Sequence, residues 1–354
     1  MKTRMTELLG IQHPILLSGM SWISTPDMVA AVSNAGGIGL LATGVLDADK
    51  TRAAIREIRE KTDKPFGANV TLLFPGAAQN AAVMLEEKIP VINFSLGKGD
   101  WIVNAAHEYG GKVLATVTTA RHSKRAQEYG CDGVIATGNE AAAHGEPPTT
   151  FCLIPRLADE LEIPIIAAGG VADGRGLAAA LALGAEGVAM GTRLMTTKES
   201  PLHENFKKLS VEKDVFDTLY SKNFDGLWCR VLDTTAAQKA VKHKIGPMGY
   251  LKAIPNSRGI AEMIGLPYSK LFLGITMGIF RKGGWDMAKQ LAYMANAFKQ
   301  IRIATEQGDT IHGVLPVGQA TGLMHDIPTV QEVIERTVSE AEEVIGKRLA
   351  GKIS

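Results

Sequence analysis

Cysteine is scarce in this chain, and no excess of one charge is present. Only Cys131, Cys152 and Cys229 occur in 354 residues. Their odd number and the lack of C-x-x-C spacing exclude a disulfide framework and a cysteine-held zinc site, and predict a reducing, cytoplasmic setting. Lys and Arg number 38 against 37 Asp and Glu, a formal net charge of +1. That balance gives no basis for a nucleic-acid or acidic-surface partner. Long hydrophobic runs are missing as well. The most apolar stretch of the second half, Leu271 to Phe280, holds two glycines and is too short to span a bilayer. The N-terminal MKTRMTELLG has no apolar signal core, so neither secretion nor a membrane is expected. The eight histidines show no H-E-x-x-H or similar spacing, and no metal is expected. A G-x-G-x-x-G after a first strand is also absent, which argues against a dinucleotide-binding open sheet.

What is present is a rhythm. Short apolar runs stand at Ile15–Leu17, Gly39–Leu41, Gly67–Val70, Val91–Phe94, Val113–Val117, Gly133–Ala136, Ile165–Ala168 and Gly187–Met190. Between them lie helical patterns such as Pro26–Asn34, Asp47–Lys61, Ala77–Glu87, Ile102–Tyr109 and Ala120–Tyr129. Continuous apolar strands bounded by helices imply a parallel sheet buried on both faces. Eight such units in about 190 residues predict an α/β fold of the (β/α)8 TIM-barrel type rather than an open sheet. After Arg193 the rhythm stops. Helical patterns at Asp214–Tyr220, Ile260–Ile264 and Met287–Glu306 predict a helical subdomain inserted over the barrel mouth. From Val314 the chain returns, and Thr329–Ile345 reads as an amphipathic final helix. The expected domains are therefore a barrel of residues 1–199 and 311–354 and a substrate or lid subdomain of residues 200–310.

The stretch Ile165 to Arg193 carries the first chemical signal. One apolar run stops at Gly169-Gly170, and the next stops at Gly191-Thr192. Each places glycine-freed backbone amides ahead of a turn toward a helix. The last two strands of a barrel hold a phosphate in this way, because a Cβ would block the approach of the backbone to the anion. Ser18-Gly19-Met20-Ser21-Trp22 after the first strand, Gly36-Gly37-Ile38-Gly39 around the second and Phe66-Gly67-Ala68-Asn69 around the third leave room for a flat ring across the mouth. An FMN with its phosphate at Gly169, Gly170, Gly191 and Thr192 accounts for these features together. A phosphate-binding barrel without flavin, such as an aldolase or isomerase, is the alternative from another class.

His144 is the sharpest single residue, just beyond the sixth strand and able to act as base, acid or donor near neutral pH. The other histidines read as structural. The basic run Lys239 to Lys244 is a solvated face or a site for a phosphorylated ligand. Trp22 and Trp228 read as packed indoles or pocket walls.

The chain resembles the nitronate monooxygenase (2-nitropropane dioxygenase) family of FMN barrels, which includes flavin-dependent enoyl-acyl carrier protein reductases. The resemblance rests on Gly19-Met20, Thr25-Pro26-Asp27 through Gly37, Pro65 through Asn69, Gly138 through His144, Ala167 through Gly174, Met190 through Arg193 and Leu315 through Gln319. It implies noncovalent FMN, with Met20, Asn69, Gly170, Gly191 and Thr192 in contact with it. Gly19 and Met190 fall in the same motifs and join the expected cofactor-binding set. So does Thr137, which stands where the monooxygenases often carry a flavin-contacting Gln. His144 falls on the family's catalytic histidine. Ala142-Ala143 stand where the family usually has Gly-Gly. The resemblance implies oxidation of alkyl nitronates with O2; its alternative is reduction of an enoyl thioester with NADH or NADPH. Either reaction has a small-molecule substrate, and a homodimer is compatible with both.

Overall fold

The computed structural model describes residues 1–354 apart from 75, 143, 243–251, 259, 260, 262–267, 270–283 and 354. Eight parallel strands close into a barrel: β1 (Ile15–Leu17), β2 (Ile38–Ala42), β3 (Gly67–Thr71), β4 (Val91–Ser95), β5 (Lys112–Val117), β6 (Gly133–Thr137), β7 (Ile165–Ala168) and β8 (Gly187–Met190). Leu16 of β1 pairs with Ile38 of β2 on one side and Ala189 of β8 on the other, which completes the ring. Side chains alternate across each strand. Leu16, Leu40, Leu114, Ile135, Ile166 and Ala189 fill the interior. Ile15, Leu17, Ile92, Val113, Val134, Val188 and Met190 pack outward against the helices.

A short helix that the periodicity did not suggest, Arg4–Leu9, opens the chain with a Thr3 capping box. Its Met5 and Leu9 join the interior cluster and plug the N-terminal end of the barrel. Thr3 Oγ1 donates to the Glu186 carbonyl at 2.7 Å and ties the plug to the entry of β8. The C-terminal end is left as the open end. At the far end of the chain, helix Val330–Glu343 is capped by Thr329, whose hydroxyl accepts from Glu332 N. Its Val333, Ile334 and Val338 complete the outer layer, and its Glu340 accepts a hydrogen bond from Gly174 N at 2.8 Å.

Everything between β8 and that helix rises from a single strand-to-helix connection. It includes helix Glu204–Glu212, an antiparallel hairpin of β9 (Thr218–Ser221) and β10 (Cys229–Leu232), helix Thr235–Lys242 and helix Gly284–Gln307. The helix expected at Asp214–Tyr220 is not formed. Thr218–Ser221 is extended because it pairs with β10, Tyr220 opposite Arg230. Tertiary pairing outweighs a weak local preference here. The Ile260–Ile264 and Leu271–Phe280 patterns, Ala143 and Lys244 lie wholly or partly outside the described residues. Among the described residues no helix is long and apolar enough to cross a membrane.

Candidate active site

All eight strand ends, the hairpin, helix Gly284–Gln307 and the returning segment Leu315–Ala320 line one cavity of about 920 Å³ at the open end of the barrel. Gly169 (φ +112°) and Gly170 (φ +76°) both lie in the left-handed region that favours glycine. A Cβ on Gly169 would stand 3.0 Å from Ala141 N and Thr150 Oγ1. The backbone N–H groups of Gly170, Gly191 and Thr192 make no hydrogen bond to the main chain of the described residues. They are donors at a cavity wall, and such donors require an acceptor. A Cβ on Gly191 would meet nothing closer than Met20 Sδ at 3.4 Å, so that side of the turn faces open space.

Two residues of the expected cofactor-binding set, Thr192 and Met190, direct their side chains to other parts of the protein. The Thr192 hydroxyl accepts from Gly318 N at 2.9 Å and anchors the returning segment, which leaves the Thr192 main chain for a ligand. Met190 does not line the cavity. It is the outward residue of β8, buried in the strand–helix layer, because Ala189 takes the inward position.

The opposite strand ends carry a polar chain. Asn69 Nδ2 donates to Asn93 Oδ1 at 2.5 Å, and Asn93 Nδ2 donates to Leu114 O and Thr116 Oγ1, each at 3.0 Å. All three side chains line the cavity. Gly19 is required beside them: its Cβ would fall 2.4 Å from Asn69 Cβ. Asn93 and Thr116 were not foreseen, although a polar residue inside each of the apolar runs of β4 and β5 was visible. Met20 and Thr137 also line the cavity.

His144 lines the same cavity with 31% of its side chain exposed, enough to reach a ligand. Its Nε2 lies 2.6 Å from Asp225 Oδ2. Burial pushes the imidazole down, but the Asp225 charge and hydrogen bond outweigh it and hold the ring above its ordinary 6.5. Asp225 was not foreseen. It sits in the hairpin turn Lys222-Asn223-Phe224-Asp225-Gly226, where Asp-Gly is a hairpin signal.

The hairpin grips the histidine loop at further points. Buried Arg230 donates to Asn139 O at 3.0 Å and Asn139 Oδ1 at 2.7 Å, and the Tyr220 hydroxyl donates to Gly145 O at 2.8 Å. From the other side, Gln319 N donates to Glu140 O at 2.8 Å. Trp22 and Trp228 are pocket walls: Trp22 meets Phe298 edge-on at 5.6 Å, and Trp228 stacks on Tyr220 at 4.7 Å. Lys242 is exposed at the end of its helix and does not line the cavity. Among the described residues no group of three or more His, Cys, Asp or Glu could hold a metal ion.

The family model for nitronate monooxygenase matches residues 2–84 and 74–340. The chain belongs to the nitronate monooxygenase family. Members of this family are flavin-dependent oxidoreductases, and so is this enzyme. It is 32% identical over 277 residues to a nitronate monooxygenase of Paraburkholderia phytofirmans, covering 65% of this chain and 76% of that one. It is 35% identical over 342 residues, 96% of each chain, to the (3aS,4S,5R,7aS)-5-hydroxy-7a-methyl-1-oxo-octahydro-1H-indene-4-carboxyl-CoA dehydrogenase of Rhodococcus jostii. Among solved structures it is similar to FabK from Thermotoga maritima, at 36% identity and a TM-score of 0.82 over 99% of each chain.

Proposed function

We propose that this nitronate monooxygenase family member binds FMN across the barrel mouth and oxidises alkyl nitronates with O2, with His144 as the residue that receives the substrate. The backbone amides of Gly170, Gly191 and Thr192 would hold the phosphate. Asn69, fixed by Asn93 and Thr116, would face the ring together with Gly19, Met20 and Thr137. The orphaned amides support this fit, because they need an acceptor of the kind a phosphate provides. When bound, the flavin supplies the electron acceptor.

The observation that carries the reading is the His144–Asp225 pair. The Asp225 carboxylate favours the imidazolium form of His144. That form is a good partner for a substrate that arrives already as an anion, and a nitronate is one. Asp225 occupies Nε2, so Nδ1 is the nitrogen left to meet the nitronate oxygen. The hairpin and helix Gly284–Gln307 supply one wall of the cavity. This supports substrate selection by residues 200–310 and flavin binding by a barrel of residues 1–199 and 311–354.

A second reading is reduction of an enoyl thioester with NADH or NADPH. What favours it is coverage: the CoA dehydrogenase and FabK are similar over 96–99% of this chain, the Paraburkholderia monooxygenase over 65%. The test is anaerobic mixing of the purified protein with propyl-2-nitronate, NADH or NADPH, after the released cofactor has been identified by mass spectrometry. Bleaching by the nitronate and release of FMN are expected. Recovery of FAD or of no flavin would sink the cofactor assignment. Bleaching by a dinucleotide alone would transfer the assignment to the second reading.

A further inference from the structure

We propose that the β4–β5 side of the cavity is a second anion site, which binds the diphosphate arm of a nucleotide-linked ligand. Lys98 follows β4, and Arg121 lies in helix Ala120–Glu128 after β5. Both are exposed, both line the cavity, and neither has an ion-pair partner among the described residues. Neighbouring Arg125, by contrast, is paired with Glu128 at 3.3 Å. Lys222 of the hairpin joins them on the lining; its one described partner is the Trp228 ring, 5.0 Å away.

The carboxylates among the described lining residues are Glu140, Glu146 and Asp225. Glu140 is held by Thr150 N and Oγ1, and Asp225 is held by His144. Glu140 and Glu146 keep their charge but both follow β6, so the lining that follows β4 and β5 carries Lys98 and Arg121 and no carboxylate. Like charges around a concave, partly apolar mouth repel one another and focus a positive potential into it. A ligand with more than one negative charge relieves that repulsion.

Topology separates this site from the one at Gly170 and Gly191. In a closed ring of eight strands β4 stands opposite β8, and β5 lies three strands from β8. Lys98 and Arg121 therefore stand on a different side of the mouth from the β8 turn. His144, after β6, stands between the two sites. A ligand whose reactive end meets His144 over the ring can rest its phosphates on Lys98 and Arg121. This step rests on the reading of the mouth as the redox site. Adenosine diphosphate is the chemistry shared by the two ligands that would fit, a nicotinamide dinucleotide and a coenzyme A thioester.

The test uses the flavin-loaded protein and calorimetric titration with ADP, which needs no turnover and so does not depend on which reaction is catalysed. The wild type should bind ADP, more weakly as salt rises. The Lys98→Ala/Arg121→Ala double variant should bind it about tenfold or more weakly, with flavin content and melting temperature unchanged. Two further titrations, with NADPH and with crotonyl-CoA against crotonyl-pantetheine, separate the sources. A loss seen with NADPH assigns the site to the reductant. A loss seen with crotonyl-CoA but not crotonyl-pantetheine assigns it to the substrate. No ADP binding by the wild type, or equal binding by the double variant, would overturn the proposal even if nitronate turnover were intact.

Discussion

Replacing Asp225 by Asn tests the central geometry with a change of one atom. The side chain keeps its shape, and the Leu227 N–H that donates to Oδ1 at 3.1 Å can still be satisfied by an amide oxygen. The charge 2.6 Å from His144 Nε2 is lost. Burial, which already pushes the imidazole down, is then unopposed, so the His144 pKa should fall from above 6.5 to below it. A hydrogen bond between charged partners contributes about 1.5–3 kcal/mol. If that interaction is expressed in the transition state, kcat/KM should drop by roughly ten- to a hundredfold.

The assay is a pH–rate profile for nitronate oxidation, with flavin absorbance as a check on loading. The wild-type limb assigned to protonated His144 should lie above pH 6.5 and move down in the variant. Stability should follow the same group. A histidine with a raised folded-state pKa stabilises the fold fully below the unfolded value, near 6.5, and loses that contribution as pH rises through the folded value. Wild-type melting temperature should therefore carry a component that declines as pH rises from about 6.5 upward, and Asp225→Asn should lack it. Wild-type rates and an unmoved profile in the variant would refute the assignment of Asp225 as the group that tunes His144.

His144→Ala should cut turnover by roughly 10²–10⁴ with FMN retained, as expected of a positioned proton-handling group. Rapid mixing that finds wild-type rates in both half-reactions would make it a loop residue. Gly191→Val should lose flavin while circular dichroism stays native, because the new side chain enters open space beside orphaned amides; full occupancy would move the phosphate elsewhere. Gly170→Val should also lose flavin, but its φ of +76° adds backbone strain and makes it the less clean of the two. Gly19→Ala should cost about 1–3 kcal/mol in urea denaturation, since its Cβ would fall 2.4 Å from Asn69 Cβ, and should lower flavin affinity by displacing that amide. Unchanged stability and loading would show that the strand ends can shift apart.

The eight strands were legible because each is buried on both faces, and a continuous apolar run bounded by glycine and helix has few other solutions. Their bounds in the structure fall within a residue or two of the runs in the sequence. The glycine turns were legible for a related reason: the positive φ at Gly169 and Gly170 favours a residue without a Cβ, and at Gly191 the missing side chain leaves open space beside the backbone amides. The plug helix Arg4–Leu9 was not, since six residues give too short a stretch for helical periodicity to register. The direction of the Met190 side chain was not legible, because motif membership says nothing about which way a side chain points. Strand parity decides that, and it turned Met190 outward.

Asp225 shows where local pattern ends. It lies 81 residues from His144, in a segment whose hairpin exists only because β9 finds β10. Neither the pairing nor the reach of its turn over β6 is encoded in any window of the sequence. The Asn69–Asn93–Thr116 chain is similar: each residue is an isolated polar interruption until barrel closure sets Asn69 opposite Asn93. Short-range sterics and burial act within a few residues, so the sequence alone determined the barrel, its glycine turns and the loop carrying His144. Charges and hydrogen bonds act through space between distant segments. Only the tertiary structure could decide which carboxylate tunes that histidine, which face of β8 meets the cavity and which cations surround its mouth.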